Sequence, residues 1–365
     1  AYHVNSVEWN THERAFPPPV PRDARGRRCH RGPRPNFVFI LLDDFGWADC
    51  SFNGSDFYET PQLNRLASQG MRFSDAYVAC PVCSPTRASI MTDKYPARLH
   101  LTNFIPGNSP REFARLIPPA FAQQLPLEET TIAEALKRGG YSSASIGKWH
   151  LGGPAYYPDK QGFDLSFVTG GRYLYPKWTV NPPHKPREGE HKWERITHEG
   201  EDFIDHHRER PFLHYVPYHL VHIPLESVKE RIAKYEAKLH TPKFRARKDV
   251  KTPAQNNPVY AAMVETADEC VGRTLKKLEE TKLAQNTAVF FMSDNGGLSA
   301  PEFENRPATS NAPLREGKGH VYEGSIREPL LIRWPGVTRV GSVCPIPVSS
   351  VDFYPTIPRC LRWRA

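Results

Sequence analysis

The stretch NFVFILL, Asn36 to Leu42, limits the possible folds more than any other feature of the chain. It is apolar at every position after the first and is bounded by Pro35 on one side and by Asp43 and Asp44 on the other. A strand with one wet face would alternate with polar residues, so the unbroken run suits a strand buried on both faces of a parallel sheet. Similar runs recur at Ser143 to Ile146, Phe212 to Val216, Ala288 to Met292 and Leu330 to Ile332, with helical patterns between them. TIAEALKRGG carries a capping box in Thr131 and Glu134 and a glycine stop at Gly139. The segment 257–280 places Val259, Met263, Ala267, Val271, Leu275 and Leu278 on one helical face, with Cys270 near it as a core thiol. Strands alternating with helices imply an α/β fold with a largely parallel central sheet, and 365 residues suffice for one large unit of this kind or two domains.

Composition removes two functional classes. The longest apolar run is far too short to span a bilayer. The net charge of +8 suggests nucleic acid, but residues 1–35 hold seven Arg against three acids, which is half of the excess. A basic Pro/Arg-rich tail over 1–34, expected to be disordered, explains much of the charge, so no nucleic-acid partner is expected. The tail has no apolar segment of the kind a secretory signal needs, which leaves the compartment open. Seven cysteines, at 29, 50, 80, 83, 270, 344 and 360, form no dense framework, and the odd count leaves at least one thiol for another role.

In parallel α/β sheets ligands sit beyond the carboxyl ends of the strands. Asp43 and Asp44 follow the first run, Lys148 and His150 the second, His219 and His222 the third, and Asp294 and Asn295 the fourth. Singly, each has an ordinary explanation: an Asp pair caps a helix, a lone His packs in a core, and Asn-Gly-Gly makes a turn. Together their chemistry is complementary. Three carboxylates and an amide carbonyl form a hard, all-oxygen set suited to Ca²⁺, or less well Mg²⁺, rather than zinc. Two lysines, an arginine and two histidines would bind and protonate an anion beside that cation, which points to hydrolysis of an anionic ester.

The stretch ACPVCSPTRASIMTDKYPARLH, Ala79 to His100, admits three readings. A zinc clip lacks a second Cys or His pair at ribbon or finger spacing. A dithiol redox pair fits the start of a helix loosely but leaves Pro85 and Arg87 unexplained. The third reading is a nucleophile, and here the stretch resembles the signature of the formylglycine-dependent sulfatases, whose core Cys-x-Pro-x-Arg is matched by Cys83, Pro85 and Arg87.

The resemblance runs from about Arg34 to Thr356, with further motifs in the family's order: PNFVFILLDDFGW, GKWHLG, VHIPL, SDNGG and LREGKGHVYEGSIREPLLIRWPG, the last containing Lys318. It implies an alkaline-phosphatase-like α/β sandwich. Two positions depart from the family pattern, Asp93 and Ser325 standing where glycines are usual; Asp tolerates left-handed backbone better than most residues. Past VDFYPT the family continues into a helix and a small antiparallel-sheet subdomain, whereas this sequence runs IPRCLRWRA. The expected organisation is therefore a tail at 1–34, a catalytic domain at 35–356 and an atypical truncated end at 357–365, with the C-terminal subdomain missing.

The resemblance also implies a mechanism. A maturation enzyme would convert Cys83 to formylglycine, whose gem-diol attacks sulfur. Asp43, Asp44, Asp294, Asn295 and the modified Cys83 would hold Ca²⁺; Arg87 would orient the nucleophile; Lys148 and Lys318 would neutralise sulfate oxygens. His222 would protonate the leaving alcohol, and His150 would take the proton whose loss expels sulfate. The substrate class is a sulfated glycan or aryl sulfate, in a periplasmic or secreted setting. Tyr156, Tyr157, Tyr173, Tyr175, Trp178, His184 and Lys185 suit a carbohydrate platform or the packing of their own loop equally well. Two rival readings keep the same residues: a phosphonate or phosphodiester hydrolase, and a silent fragment that holds calcium and an anion without turnover.

Overall fold

The computed structural model describes residues 34–108, 113, 115–247, 254–301 and 307–359. The opening run forms strand β1 (Asn36–Leu42), buried along its whole length. Side chains alternate across a strand, so Val38, Ile40 and Leu42 enter one hydrophobic core while Phe37, Phe39 and Leu41 enter a second on the opposite face. Neither side meets water, and for that reason the sequence shows no polar alternation.

Among the described residues ten further strands follow in chain order: β2 (Met71–Phe73), β3 (Ala76–Tyr77), β4 (Ser142–Gly147), β5 (Leu165–Gly171), β6 (Trp178–Asn181), β7 (Phe212–Pro217), β8 (Thr287–Ser293), β9 (Leu330–Arg333), β10 (Ser342–Cys344) and β11 (Val348–Ser349). Nine form one sheet in the order β10-β2-β9-β8-β1-β7-β4-β5-β6, and β11 pairs with β3 in a small second sheet. The centre, β8-β1-β7-β4-β5, is parallel throughout. The run at 330–332 is a strand as expected, but it lies antiparallel to β8, and β6 is antiparallel to β5.

The helices Pro61–Gln69, Lys192–His206, Lys229–Leu239 and Pro258–Glu280 cover one face of the sheet. The helices Cys83–Thr92, Ile132–Lys137 and Phe353–Arg359 cover the other. Local signals explain several boundaries. Thr131 and Glu134 close the expected capping box, the Glu134 N–H donating to Thr131 Oγ1 at 3.3 Å and the Thr131 N–H to Glu134 Oε2 at 2.8 Å. The left-handed residue ending that helix is Gly140 (φ +76°) rather than Gly139, because Lys137 and Arg138 still follow the helical path. In the long helix Met263, Ala267, Cys270, Val271, Leu275 and Leu278 are buried and Val259 is half-buried. Asp93 occupies the left-handed C-cap of Cys83–Thr92 (φ +63°), a position where glycine would avoid the Cβ clash.

Among the described residues no helix is long and apolar enough to cross a membrane. Of the expected tail 1–34 only Arg34 lies within the described residues, and of the segment 357–365 only 357–359.

Candidate functional site

Strand register brings the scattered motifs together. Leu42 lies beside Ser293, and Leu41 beside Pro217, so Asp43 and Asp44, Asp294 and Asn295, and the turn 218–222 leave the sheet side by side. Backbone hydrogen bonds tie these exits: Asp294 N–H to the Leu42 carbonyl at 3.1 Å, Val221 N–H to the Asp43 carbonyl at 2.6 Å, and Lys148 N–H to the Pro217 carbonyl at 2.7 Å. Gly147 makes the last approach possible. Its φ is +138°, and a Cβ there would lie 2.1 Å from the Pro217 carbonyl oxygen. Two functional candidates, Asp44 (φ +63°) and His150 (φ +59°), hold left-handed backbone. Such a conformation costs about 1 kcal/mol or more in a non-glycine residue and concentrates at sites that need a side chain aimed in one direction.

Cys83 opens a ten-residue helix in which every residue is buried. Pro85 sits in the first turn, where no N–H is required. Arg87 falls one turn after Cys83, on the same face, and this accounts for the Cys-x-Pro-x-Arg spacing. Its guanidinium has no exposure. Nε donates to Asp294 Oδ2 at 2.8 Å, a terminal nitrogen lies 2.8 Å from the same oxygen, the other donates to the Lys148 carbonyl at 2.8 Å, and Asp43 stands 3.8 Å away. A buried arginine is tolerated only with such pairing.

The remaining charges interlock. Lys148 Nζ donates to Asp43 Oδ2. Lys318 Nζ lies 2.8 Å from Asp44 Oδ1 and 2.9 Å from Oδ2, and Asn295 Nδ2 donates to Asp44 Oδ1 at 2.7 Å. Burial alone would raise Asp43, but Lys148, His222, Arg87 and Lys318 hold its carboxyl well below the usual range. Burial and the neighbouring Asp43 charge push Asp294 upward. Two carboxylates in one dry site resist ionising together, and a cation between them relieves that conflict.

The residues fit a hard cation. Asp43, Cys83 and Asp294 bring ligand atoms within 4.8 Å of one another, as do Asp43, Asp44 and His222. Asp43 Oδ1 and Asn295 Oδ1 are buried oxygens without a hydrogen-bond partner, acceptors that a cation could engage. Oxygen predominates in the set, which favours Ca²⁺ or Mg²⁺ over a thiophilic metal. Cys80 belongs to neither group, and both Cys80 and Cys83 are free thiols.

The histidines divide. His150 Nε2 lies 2.6 Å from the Ile105 carbonyl, which can only accept, so the proton sits on Nε2 and the lone pair of Nδ1 faces Cys83 Sγ at 3.2 Å. Burial, then the Lys148 charge, lowers its pKa to about 3, so the ring is neutral. His222 Nδ1 meets the Ile223 carbonyl at 2.5 Å, which leaves Nε2 toward the acidic cluster, 3.7 Å from Asp44 Oδ2. His219, from the same turn, points elsewhere: its Nε2 meets the Thr169 hydroxyl at 3.1 Å and the Thr169 carbonyl at 3.0 Å. The aromatic loop divides too, with Tyr173 and Trp178 buried while Tyr175, His184 and Lys185 are exposed.

The sequence reading did not find the role of two residues. Ile105 acts through its carbonyl, and its own N–H donates to Ser84 Oγ at 3.1 Å, so the residue after Cys83 anchors the loop that orients His150. Any residue type offers a carbonyl, so only Ser84, within the cysteine motif, could have been suspected. Tyr173, named among aromatics that suited a platform or loop packing equally, donates to the carbonyls of His219 and His222.

A mostly parallel sheet between two helical layers, with an oxygen-rich charged cluster at its carboxyl edge, defines the alkaline-phosphatase-like class. The structure superposes with a TM-score of 0.75 on Ps i-CgsB in complex with k-i-k-neocarrahexaose, at 29% identity over 91% of this chain and 73% of that one. The fold is shared with the phosphonate monoester hydrolase of Agrobacterium radiobacter, at a TM-score of 0.64 and 18% identity, covering 90% of this chain and 74% of that one. The family model for sulfatases matches residues 35–362, and the chain belongs to the sulfatase family. It is 32% identical to the N-acetylgalactosamine-6-sulfatase of Mus musculus over 349 residues, covering 88% of this chain and 61% of the relative. It is 30% identical to a sulfatase of Formosa agariphila over 394 residues, covering 89% and 68%. The chain thus spans about three-fifths of the length of the N-acetylgalactosamine-6-sulfatases it matches.

Proposed function

We propose that this chain is a sulfuric ester hydrolase acting on a sulfated glycan, with its catalytic unit at 35–356, Cys83 matured to formylglycine and Ca²⁺ as the cation. The observation that carries the reading is the convergence of Asp43, Cys83, Arg87, Lys148, His150 and Asp294 around one buried point, with contacts of 2.8 to 3.8 Å and the ligand atoms of Asp43, Cys83 and Asp294 within 4.8 Å of one another. Three carboxylates face three permanent cations there, so a divalent ion adds the positive excess that an anionic ester requires.

Asp43, Asp44, Asp294, Asn295 and the modified Cys83 would hold the cation. When present, the cation and formylglycine supply Lewis-acid polarisation and a hydroxyl nucleophile. Arg87 braces both sides of the cleft through Asp294 and the Lys148 carbonyl. Lys148 and Lys318, paired to Asp43 and Asp44, would neutralise sulfate oxygens. His222, its Nδ1–H held by the Ile223 carbonyl, would give the leaving alcohol a proton from Nε2 as imidazolium, the form that burial opposes and that Asp44 and Asp43 favour, and neutral His150 would accept, at the Nδ1 facing Cys83, the proton whose departure completes turnover. The glycan assignment is supported by relatives named N-acetylgalactosamine-6-sulfatase and by the similar structure solved with k-i-k-neocarrahexaose.

The test is the mass of the Cys83 peptide from protein made with a competent maturation system, read with turnover of paired aryl sulfate and aryl phosphate diester. A peptide lighter by exchange of sulfur and two hydrogens for oxygen, with repeated turnover of the sulfate, is expected. Cys83→Ser should stop after at most one turnover, while Cys80→Ser stays nearly fully active. An unmodified thiol in a fully active preparation, or preference for the diester, overturns the proposal.

A further inference from the structure

We infer that Tyr173 is a positioning residue for His222, an inference that rests on the proposed role of His222 as proton donor. The turn carrying His222 follows β7 and is tied at its middle to Asp43, by Val221 N–H to the Asp43 carbonyl at 2.6 Å and Asp43 N–H to the Leu220 carbonyl at 2.8 Å, while its own backbone contributes the bond from His222 N–H to the His219 carbonyl at 2.9 Å. The restraint on its two ends comes from the β5–β6 connection. The Tyr173 hydroxyl lies 2.6 Å from the His219 carbonyl and 2.7 Å from the His222 carbonyl, so one O–H is shared between both ends of the turn. The imidazole is then aimed by Nδ1–H to the Ile223 carbonyl, which directs Nε2 into the cleft.

Tyr173 can act as a fixed strut because it is itself held on three sides. Its ring is 3% exposed. Its N–H donates to Glu226 Oε2 at 2.9 Å, and its carbonyl accepts from Lys192 N–H at 2.9 Å. The Lys192 ammonium lies 4.3 Å from the ring centroid and donates to the Gly171 carbonyl at 2.8 Å. A tyrosine facing a glycan would present its hydroxyl to solvent. This one spends its only donor on the backbone of the histidine turn.

Tyr173→Phe removes that donor and keeps the ring. A strut for a proton donor affects substrates according to how much protonation their leaving group needs, whereas a merely structural residue slows all of them alike. With phenyl sulfate and para-nitrophenyl sulfate as probes, Tyr173→Phe should lower kcat about tenfold on the former and less than about twofold on the latter, with little change in KM. Lys192→Met, which frees the ring from its other side, should give the same pattern at smaller size. In a His222→Ala background Tyr173→Phe should cost nothing further, because the group it positions is gone. Equal losses on both sulfates, or full additivity with His222→Ala, overturns the inference. If His222→Ala slows both probes equally, the proton-donor role of His222 fails by itself. The double-mutant cycle then decides Tyr173 alone: coupling sustains positioning and additivity rejects it.

Discussion

The Nδ1 atom of His150 lies 3.2 Å from the sulfur of Cys83, with its lone pair turned toward it. Both ends of this contact are held by the same short stretch. Cys83 begins the buried helix, and Ser84 next to it anchors Ile105, whose carbonyl fixes the far nitrogen of the ring. The proposed nucleophile position and its proposed proton acceptor are thus built as one unit.

His150→Ala should therefore separate the two halves of the reaction. In the proposed mechanism the first release of alcohol does not need His150, but the step that frees sulfate does. A rapid-quench experiment with para-nitrophenyl sulfate should show a burst of phenol equal to the enzyme concentration, then a steady rate lower by about 100-fold or more. A linear time course without a burst removes His150 from the second step.

Asp294 joins the proposed cation site to Arg87, so its loss has two consequences. In the unmutated protein Ca²⁺ should raise the melting temperature, because it binds only the folded state. In Asp294→Ala that rise should vanish together with turnover. The calcium-free protein should itself be less stable by about 3 kcal/mol, the usual result of stripping a buried guanidinium of its partner. Calcium titration by calorimetry checks the first expectation and urea unfolding the second; an undiminished calcium affinity places the ion elsewhere.

Lys192 provides a pH signature independent of activity. Burial, followed by repulsion from Lys148, lowers its pKa to about 7. An unfolded lysine titrates near 10.4 (about that value in model peptides). Between these limits the unfolded chain binds a proton that the folded chain lacks, so stability rises with pH, by at most about 1.4 kcal/mol per unit. Below about pH 7 both forms are protonated and the penalty is constant. Urea unfolding across this window should show that slope, and Lys192→Met should flatten it. An unchanged slope in the variant assigns it to other groups.

Much of the site was legible in the chain because its determinants are local. An apolar run without polar alternation can only be buried on both faces, as β1 is. The acids following such runs had to reach the carboxyl edge of the sheet, and Cys83 and Arg87 had to share a helical face once Cys83 opened that helix with Pro85 in its first turn. Tertiary structure decided the rest. Both His219 and His222 follow β7, and no spacing rule distinguishes the one that meets Thr169 from the one that faces Asp44. Residue type left Tyr173 equally suited to a platform or to packing its loop, and tertiary packing against Lys192 turned its hydroxyl inward. The Ile105 carbonyl that sets the His150 tautomer exists at every residue of any chain. Periodicity and capping act over a few residues and leave their mark in residue type. Which side chain finds which backbone oxygen across 45 or 49 positions depends on how the layers pack, and residue type alone does not encode it.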